Sequence, residues 1–505
     1  MKLNILIGGG AGQGINKVTG IVSAILSKYG HFTFNYRDYP SLIRGGHNFN
    51  VLTISDSRIG SNESKLDGII ALDNKTLDLH KNELKSDGFS IGAKGFEDLG
   101  RNINIALAGA LIKILGIDQN LLLEEIELEF PKKPEPKLAA EKGFTSQDSK
   151  YNLKKLDHKI KISFGSKAIA QGAINSEIAL YIAYPMTPAT NTMHELASMQ
   201  EKEKFLVFQA ENELAVANAA LGASFAGART MIGTSGGGFD LMSESFSMQG
   251  MTGIPLVVYL AARPGPGSGM PTYTMQGDLD IALRAGHGEF PRVVIAPGDP
   301  IEAEEKTNEA FYLSEKFGTL AIILSDKHLA ESEFSTDRKA NFPIPVEMKR
   351  GVPGEFICRG TSYEHDDFGV STEDPKEAKL GADCRIKRYQ QIQKESEKFE
   401  MIKVHGKKDS KNLVIGWGST KGAILDAIEG EDFKFLQVLY MKPISDEIIE
   451  HIKKAEKVIL VENNLTGQLG RLIREATGIK IEKRLLKYDG RPFLSDELNK
   501  LLKGV

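Results

Sequence analysis

The residues best suited to chemistry lie in four short stretches in the middle of the chain. Gln209-Ala210-Glu211-Asn212-Glu213-Leu214-Ala215 opens an alanine-rich helical pattern running through Gly222, so two carboxyls fall at its start. The macrodipole of a helix stabilises carboxylates there, which is the purely structural account; burial of one of them would tune it for proton transfer. In Leu260-Ala261-Ala262-Arg263-Pro264-Gly265-Pro266-Gly267-Ser268-Gly269-Met270-Pro271-Thr272, an arginine ends a buried apolar run before a Pro/Gly loop. That location points it into the cleft of an open α/β sheet, and its planar fork suits a carboxylate better than lysine does. Tyr184-Pro185-Met186-Thr187-Pro188-Ala189-Thr190 brackets Thr187 between two prolines. They restrict the local backbone, so the Thr187 hydroxyl can be held in a fixed direction; read structurally, Thr187 or Thr190 would cap the next helix. Thr234-Ser235-Gly236-Gly237-Gly238-Phe239-Asp240 is a glycine turn that allows close backbone approach.

A second glycine cluster, Gly8-Gly9-Gly10-Ala11-Gly12-Gln13-Gly14, separates a strand-like run from a helical pattern. Successive backbone N–H groups at a helix start suit an anion, although neither G-x-G-x-x-G nor G-x-x-x-x-G-K-[ST] fits the spacing. In Tyr39-Pro40-Ser41-Leu42-Ile43-Arg44-Gly45-Gly46-His47, Arg44 sits among turn residues, where its guanidinium can meet an anion or simply be solvated. His365 has acidic neighbours, but a solvated loop explains them as well as a metal site does, and no metal is expected on this chain.

These stretches need a scaffold, and the rest of the sequence describes one. At 505 residues the chain has room for about three domains. Hydrophobic residues make up 41% and charged residues 26%, an ordinary globular balance. A net charge of −4 argues against nucleic acid or an anionic membrane as the main partner. There is no signal-peptide pattern and no run of about 20 apolar residues, so a soluble, cytoplasmic protein is expected. With only Cys358 and Cys384, a disulfide framework and a four-thiolate cluster are both ruled out, so iron for electron transfer would have to sit in another chain.

Short β-rich runs alternate with helical ones, giving an α/β class with parallel sheets. The expected strands include Leu3–Ile7, Val51–Ile54, Gly68–Leu72, Phe205–Phe208, Leu256–Leu260, Val293–Ile295, Thr319–Leu324, Asn412–Ile415, Lys434–Leu439 and Lys457–Val461. The division is 1–130, a linker over 131–160, a domain over 161–345, an irregular segment over 346–410 and a domain over 411–505. The linker is read from Pro131-Lys132-Lys133-Pro134-Glu135-Pro136 and the polar stretch after it.

Taken in order, these stretches resemble the alpha subunits of 2-oxoacid:ferredoxin oxidoreductases carrying a fused N-terminal gamma-type domain, most of all those of the 2-oxoglutarate type. Tyr184–Pro188 looks like the family's Tyr-Pro-Ile-Thr-Pro, with Met186 for isoleucine. Thr234–Gly238 is similar to Thr-Ser-Gly-Pro-Gly, with Gly237 for proline, and the Arg263 loop to Arg-Pro-Gly-Pro-Ser-Thr-Gly, with Gly267-Ser268 for Ser-Thr. Gly360–Gly369 with Thr372–Pro375 resembles the family's interdomain segment. Gly416-Trp417-Gly418-Ser419 and Val461-Glu462-Asn463-Asn464 resemble parts of its C-terminal domain.

The resemblance implies three α/β domains: gamma-type, thiamine-enzyme pyrimidine-side, and transketolase C-terminal-like. It implies coenzyme A-dependent oxidative decarboxylation of a 2-oxoacid, with 2-oxoglutarate preferred and pyruvate or a branched-chain acid as alternatives. Glu213, with Glu211 as the other candidate, would meet the aminopyrimidine of thiamine diphosphate, with Tyr184 and Pro185 beside the cofactor. Thr187 and Arg263 would hold the substrate, and Gly12, Gly14, Arg44 and Gly45 would line a coenzyme A path. Arg284 or His287 would be available to a second substrate carboxylate.

The family's Gly-Asp-Gly diphosphate motif is missing, Gly277-Asp278-Leu279 and Gly298-Asp299-Pro300 being the nearest approaches. This implies a beta subunit that holds the diphosphate through Mg²⁺, carries a [4Fe-4S] cluster and passes electrons to ferredoxin, in an (αβ)₂ assembly. Two other classes compete with this reading. One is a non-catalytic coenzyme A- or nucleotide-binding protein using only the glycine loops; the other is a transketolase-type enzyme acting alone, which the missing motif disfavours.

Overall fold

The computed structural model describes residues 1–40, 46–348, 354–355 and 360–505. They form two compact units: Met1–Ser163 with Ser332–Lys339 and Phe493–Lys503, and Phe164–Glu331 with Ala340–Pro492 and Gly504–Val505.

The first unit runs β1 (Lys2–Gly10), α1 (Ile15–Lys28), β2 (Phe32–Asp38), β3 (His47–Ser55), β4 (Leu66–Ala71), α2 (Asn74–His80), β5 (Leu84–Gly92), α3 (Ile103–Ile114), α4 (Gln119–Glu129), α5 (Pro134–Thr145) and β6 (Lys161–Ser163). Successive strand side chains face opposite ways. In β1 this sends Leu3, Ile5 and Ile7 into the core with α1 and α3, and Leu6 to the other face with Val51, Leu66 and Ile69. The sheet order is β5-β4-β1-β3-β2, completed by the later strand Glu333–Thr336 and by β6. Strand β4 is parallel to β1, while β3 is antiparallel to β1 and β2.

Two expectations are corrected in this unit. Gly8, Gly9 and Gly10 continue β1 and pair with Phe49, Asn48 and His47, so the turn itself is confined to Ala11–Gly14. Residues 131–160 are not a plain linker, because α5 is a helix whose prolines fall in its first turn, where a missing N–H costs nothing. Helix α5 packs on α3 at backbone distance: a Cβ at Gly143 would strike the carbonyl of Ala106, and one at Gly109 the carbonyl of Ala140. Together with buried Ala139, these small residues make α5 part of the first core.

The second unit continues with α6 (Gly165–Asn175), β7 (Leu180–Ala183), α7 (Thr190–Glu203), β8 (Leu206–Gln209), α8 (Glu213–Phe225), β9 (Thr230–Thr234), α9 (Gly236–Leu241), α10 (Ser243–Thr252), β10 (Leu256–Ala262), α11 (Leu279–Arg284), β11 (Arg292–Ile295), α12 (Pro300–Phe317), β12 (Leu320–Asp326) and α13 (Lys327–Glu331). The chain passes through β13 (Glu333–Thr336) and resumes with β14 (Glu364–His365), β15 (Ser371–Thr372), α14 (Pro375–Ser396), β16 (Ile402–Gly406), β17 (Asn412–Trp417), α15 (Thr420–Ala427), β18 (Lys434–Val438), β19 (Tyr440–Lys442), α16 (Glu447–Lys454), β20 (Lys457–Glu462), α17 (Gln468–Thr477) and β21 (Lys483–Leu486).

Its large sheet has the order β19-β11-β12-β10-β9-β7-β8. Strand β10 is apolar on both faces: Leu256, Val258 and Leu260 join one core, and Val257, Tyr259 and Ala261 another. Such a run fits a parallel sheet covered by helices on both sides. A smaller sheet, β16-β18-β17-β20-β21, follows.

Strand β19 leaves the small-sheet segment and adds antiparallel to β11 of the large sheet. This lent strand is one physical reason why most of the residues on either side of the divisions at 345 and 410 fall in one unit, while Ser332–Lys339 and Phe493–Lys503 belong to the other. Among the described residues no helix is long and apolar enough to cross a membrane.

Candidate active site

Four of the singled-out stretches follow four neighbouring strands. In the order β10-β9-β7-β8 all pairings are parallel, so their carboxyl ends open on one edge, where α/β sheets bind ligands. Arg263 follows β10, Thr234–Gly238 ends β9 and starts α9, Tyr184–Thr187 follows β7, and Glu213 follows β8.

Asn212 caps α8 by accepting a bond from the amide of Ala215 at 2.9 Å, and this fixes Glu213 as the first helical residue. Glu213 is 5% exposed, whereas Glu211, two residues earlier, is exposed. The side chain of Glu213 lies against the glycine turn, since a Cβ on Gly238 would sit 2.8 Å from its Cγ and 2.9 Å from its Oε1. A buried carboxylate is costly without a partner. That of Glu213 has no hydrogen bond or ion pair among the described residues. Ser235, at the head of the turn, likewise has a buried Oγ without a partner.

Arg263 donates from Nη1 to the carbonyl oxygen of Thr187 at 2.9 Å. The two residues expected to hold a substrate are therefore joined directly, with other guanidinium N–H groups left for a ligand. Burial lowers the pKa of Arg263 from its usual range and Asp278 opposes that shift. The structural account of Thr187 and Thr190 as helix caps fails, because the N-cap of α7 is Ala189 with no side-chain bond. Tyr184 is 38% exposed beyond the end of β7, and Pro185 follows it half-buried.

The loop after Arg263 is closed on itself and then tied down. Met270 donates its amide to Pro264 O at 3.0 Å, and Gly267 and Gly269 have φ of +66° and +49°, values that favour glycine. Gln276 anchors the far end: its amide donates to Asn463 O at 2.7 Å and its Nε2 to Trp417 O at 2.7 Å, while its Oε1 accepts from Asn463 N at 2.9 Å. Asn464 Nδ2 adds a bond to Gln276 O at 3.2 Å. The Trp417 and Asn463-Asn464 motifs of the small sheet thus position the Arg263 loop.

In the sequence Asp278 stands out only as a near miss of a diphosphate motif. Its Oδ2 is sealed from solvent without a hydrogen-bond partner and lies 2.5 Å from where a Cβ on Gly236 would sit. Burial, then the like charge of Asp240, push its pKa up to about 7 against the pull of Arg263. The available signal was an acid directly after a loop that begins with a candidate substrate arginine.

Other expected residues stand apart from this group. Arg284 is ion-paired with Glu475, and His287 is exposed, its amide bonded to Ser247 Oγ at 2.8 Å. His365 is bonded through Nε2 to Thr361 Oγ1 at 3.0 Å. Among the described residues no group of three or more His, Cys, Asp or Glu is arranged to hold a metal. In the first unit Gly12 and Gly14 both have φ of +86°, and the amide of Gly10 donates to Gln13 Oε1 at 2.7 Å. Arg44 and Gly45 lie outside the described residues.

Residues 171–350 match the family model described as pyruvate flavodoxin/ferredoxin oxidoreductase, thiamine diphosphate-binding, and residues 4–100 the one described as pyruvate ferredoxin/flavodoxin oxidoreductase. The chain is 30% identical to the 2-oxoacid:ferredoxin oxidoreductase subunit alpha of a Sulfolobus species, across 99% of this chain and 96% of that one. It is 28% identical to the 2-oxoglutarate synthase subunit KorA of Archaeoglobus fulgidus, across 67% of this chain and 97% of that one. The fold matches 2-oxoglutarate:ferredoxin oxidoreductase from Magnetococcus marinus, solved with 2-oxoglutarate, coenzyme A and succinyl-CoA bound, at a TM-score of 0.89 and 25% identity, covering 100% of this chain and 99% of that one.

The fold and the family match define an oxidoreductase subunit of α/β class with a thiamine diphosphate-binding type of domain. The chain belongs to the 2-oxoacid:ferredoxin oxidoreductase family, as an alpha subunit.

Proposed function

We propose that this subunit supplies the pyrimidine side of a thiamine diphosphate site and the substrate clamp for oxidative decarboxylation of 2-oxoglutarate. The observation that carries this reading is the buried Glu213 carboxylate, which has no partner among the described residues and is set against Gly238 at the same sheet edge as the Arg263–Thr187 pair. A carboxyl in such a place fits the ring nitrogen of an aminopyrimidine, with which it can share a proton. The chemistry supplied by bound thiamine diphosphate is a carbon nucleophile and electron sink for loss of CO₂.

The chain's own residues do the rest. Glu213 holds and returns the proton at the pyrimidine, with Tyr184 and Pro185 bordering the cofactor. Thr187 orients Arg263 through its carbonyl and offers its hydroxyl, and Arg263 takes the substrate carboxylate. The tied-down loop from Arg263 to Gln276 keeps these groups in place.

Coenzyme A receives the acyl group, and Gly12, Gly14, Arg44 and Gly45 are the candidates for its path. A beta subunit supplies the Mg²⁺–diphosphate site and a [4Fe-4S] cluster, passes electrons singly to ferredoxin, and pairs with this chain as (αβ)₂ in the cytoplasm. The preference for 2-oxoglutarate draws support from the Archaeoglobus relative's name and from the ligands of the Magnetococcus structure.

The test is reconstitution. Purified chain is assayed alone and with a partner carrying Cys-x-x-Cys and Gly-Asp-Gly, across a panel of 2-oxoacids with coenzyme A and a ferredoxin. Activity only with the partner, and the highest kcat/KM with 2-oxoglutarate, is the expected result. Decarboxylation coupled to acceptor reduction by the chain alone would overturn the subunit split, and a clear preference for pyruvate would overturn the substrate.

A further inference from the structure

The loop that begins at Arg263 ends in an acidic side chain that this mechanism leaves unused. Asp278 is the N-cap of α11 but makes no capping bond, although aspartate at that position ordinarily accepts from the helix amides. Instead its Oδ2 is turned against Gly236, shielded from water and without a hydrogen-bond partner. The backbone leading into it is fixed by the bonds of Gln276 and by Gln468 Nε2, which donates to Gly277 O at 2.7 Å.

The charges facing Asp278 come from two neighbouring elements. Arg263, at the end of β10, favours its ionised form, and Asp240, on α9, favours its acid form. Helix α17 presents neutral Gln468, and its Arg471 is paired with Asp280. Arg263 and Asp278 form no ion pair, so they interact through space.

We propose that Asp278 sets the pH dependence of the substrate clamp: neutral when the 2-oxoacid is bound, and, when ionised, a competitor of the substrate carboxylate for the positive charge of Arg263. The inference rests on the reading that Arg263 receives that carboxylate. A substrate carboxylate on Arg263 cancels the charge that keeps Asp278 ionised, and it adds a second negative charge nearby. Binding to the ionised form therefore takes up one proton from solvent onto a carboxylate oxygen of Asp278, and no other bond changes. The pKa of about 7 places this exchange near neutral pH.

The experiment is steady-state kinetics of the assembled enzyme, alpha with its partner, over about pH 6 to 8.5, with KM and kcat resolved separately for wild type, D278N, D240N and R263K. Wild-type KM for the 2-oxoacid should rise by about 3- to 10-fold across this range, a tenfold change corresponding to one pKa unit of coupling. D278N should flatten the KM profile and give the lower KM at the alkaline end. D240N, which removes the like charge from an exposed position, should move the rise to lower pH; this holds the test open if D278N fails to assemble. A flat wild-type KM, or a D278N profile superposing on wild type, would overturn the proposal. If R263K raises KM while D278N behaves as wild type, only the role of Asp278 falls. If R263K leaves KM untouched, the assignment of Arg263 falls first.

Discussion

Arg263 Nη1 and the carbonyl oxygen of Thr187 are 2.9 Å apart, so one hydrogen bond joins the ends of two parallel strands that are not direct neighbours. The bond orients a guanidinium at the sheet edge. Lysine at position 263 keeps the charge but loses the planar fork. R263K should raise KM for the 2-oxoacid by about 10- to 100-fold, with a smaller effect on kcat, as expected for loss of one charge-assisted contact. Steady-state kinetics of the assembled enzyme decides it.

Gly238 is where the turn touches Glu213. A methyl group there would sit 2.8 Å from Glu213 Cγ and crowd Thr234 Oγ1. G238A should lower kcat by about 10-fold or more through misplacement of the carboxyl, and cost about 1–3 kcal/mol from overpacking. Alanine at Gly237, which meets nothing within 4 Å, is the control expected to stay near wild type.

Gln276 bonds three backbone groups of the small-sheet segment in addition to holding Asn464. Q276A strands buried partners, at about 1–3 kcal/mol. It should lower the thermal midpoint of the chain and raise KM, because the loop that starts at Arg263 loses the two side-chain bonds of its anchor, to Trp417 O and from Asn463 N, and keeps only the backbone ones. An unchanged KM in a destabilised variant would mean that the anchor serves stability alone.

Asp278 makes stability depend on pH. Its folded pKa of about 7 lies above the ordinary aspartate value, so the folded chain binds more protons than the unfolded one between the two. This contribution is full at acid pH and is lost as pH rises through about 7. D278N removes it, so the variant's thermal midpoint relative to wild type should improve from about pH 5 to about pH 8. A gap that does not change with pH would mean that Asp278 ionises normally.

Much of this was legible in the sequence because its signals are local. Helix α8 starts within the stretch that opens the alanine-rich pattern and runs about one turn past its end at Gly222, and β10 and β12 follow their apolar runs. The four strand-end stretches were visible as Pro, Gly and charged residues closing apolar runs, although their adjacency depends on strand order, which no local pattern encodes. The resemblance puts Glu213 ahead of Glu211; that Glu213 is buried and Glu211 exposed comes from tertiary packing at the Gly238 turn, which no local pattern encodes. Helix α5 was missed because prolines read as breakers, when at a helix start they cost nothing. The lent strand β19 and the Gln276 anchor are long-range pairings, and the burial of Asp278 against Gly236 is likewise set by tertiary neighbours that its local motif does not show.

The most direct test is E213Q beside E211Q in the enzyme assembled with its partner, measuring 2-oxoacid-dependent reduction of ferredoxin. Glutamine keeps the shape at 213 but cannot share a proton, so kcat should fall by about 100-fold or more with the thermal midpoint little changed, while E211Q stays near wild type. E213Q turning over at the wild-type rate, or E211Q showing the loss in its place, would contradict the account.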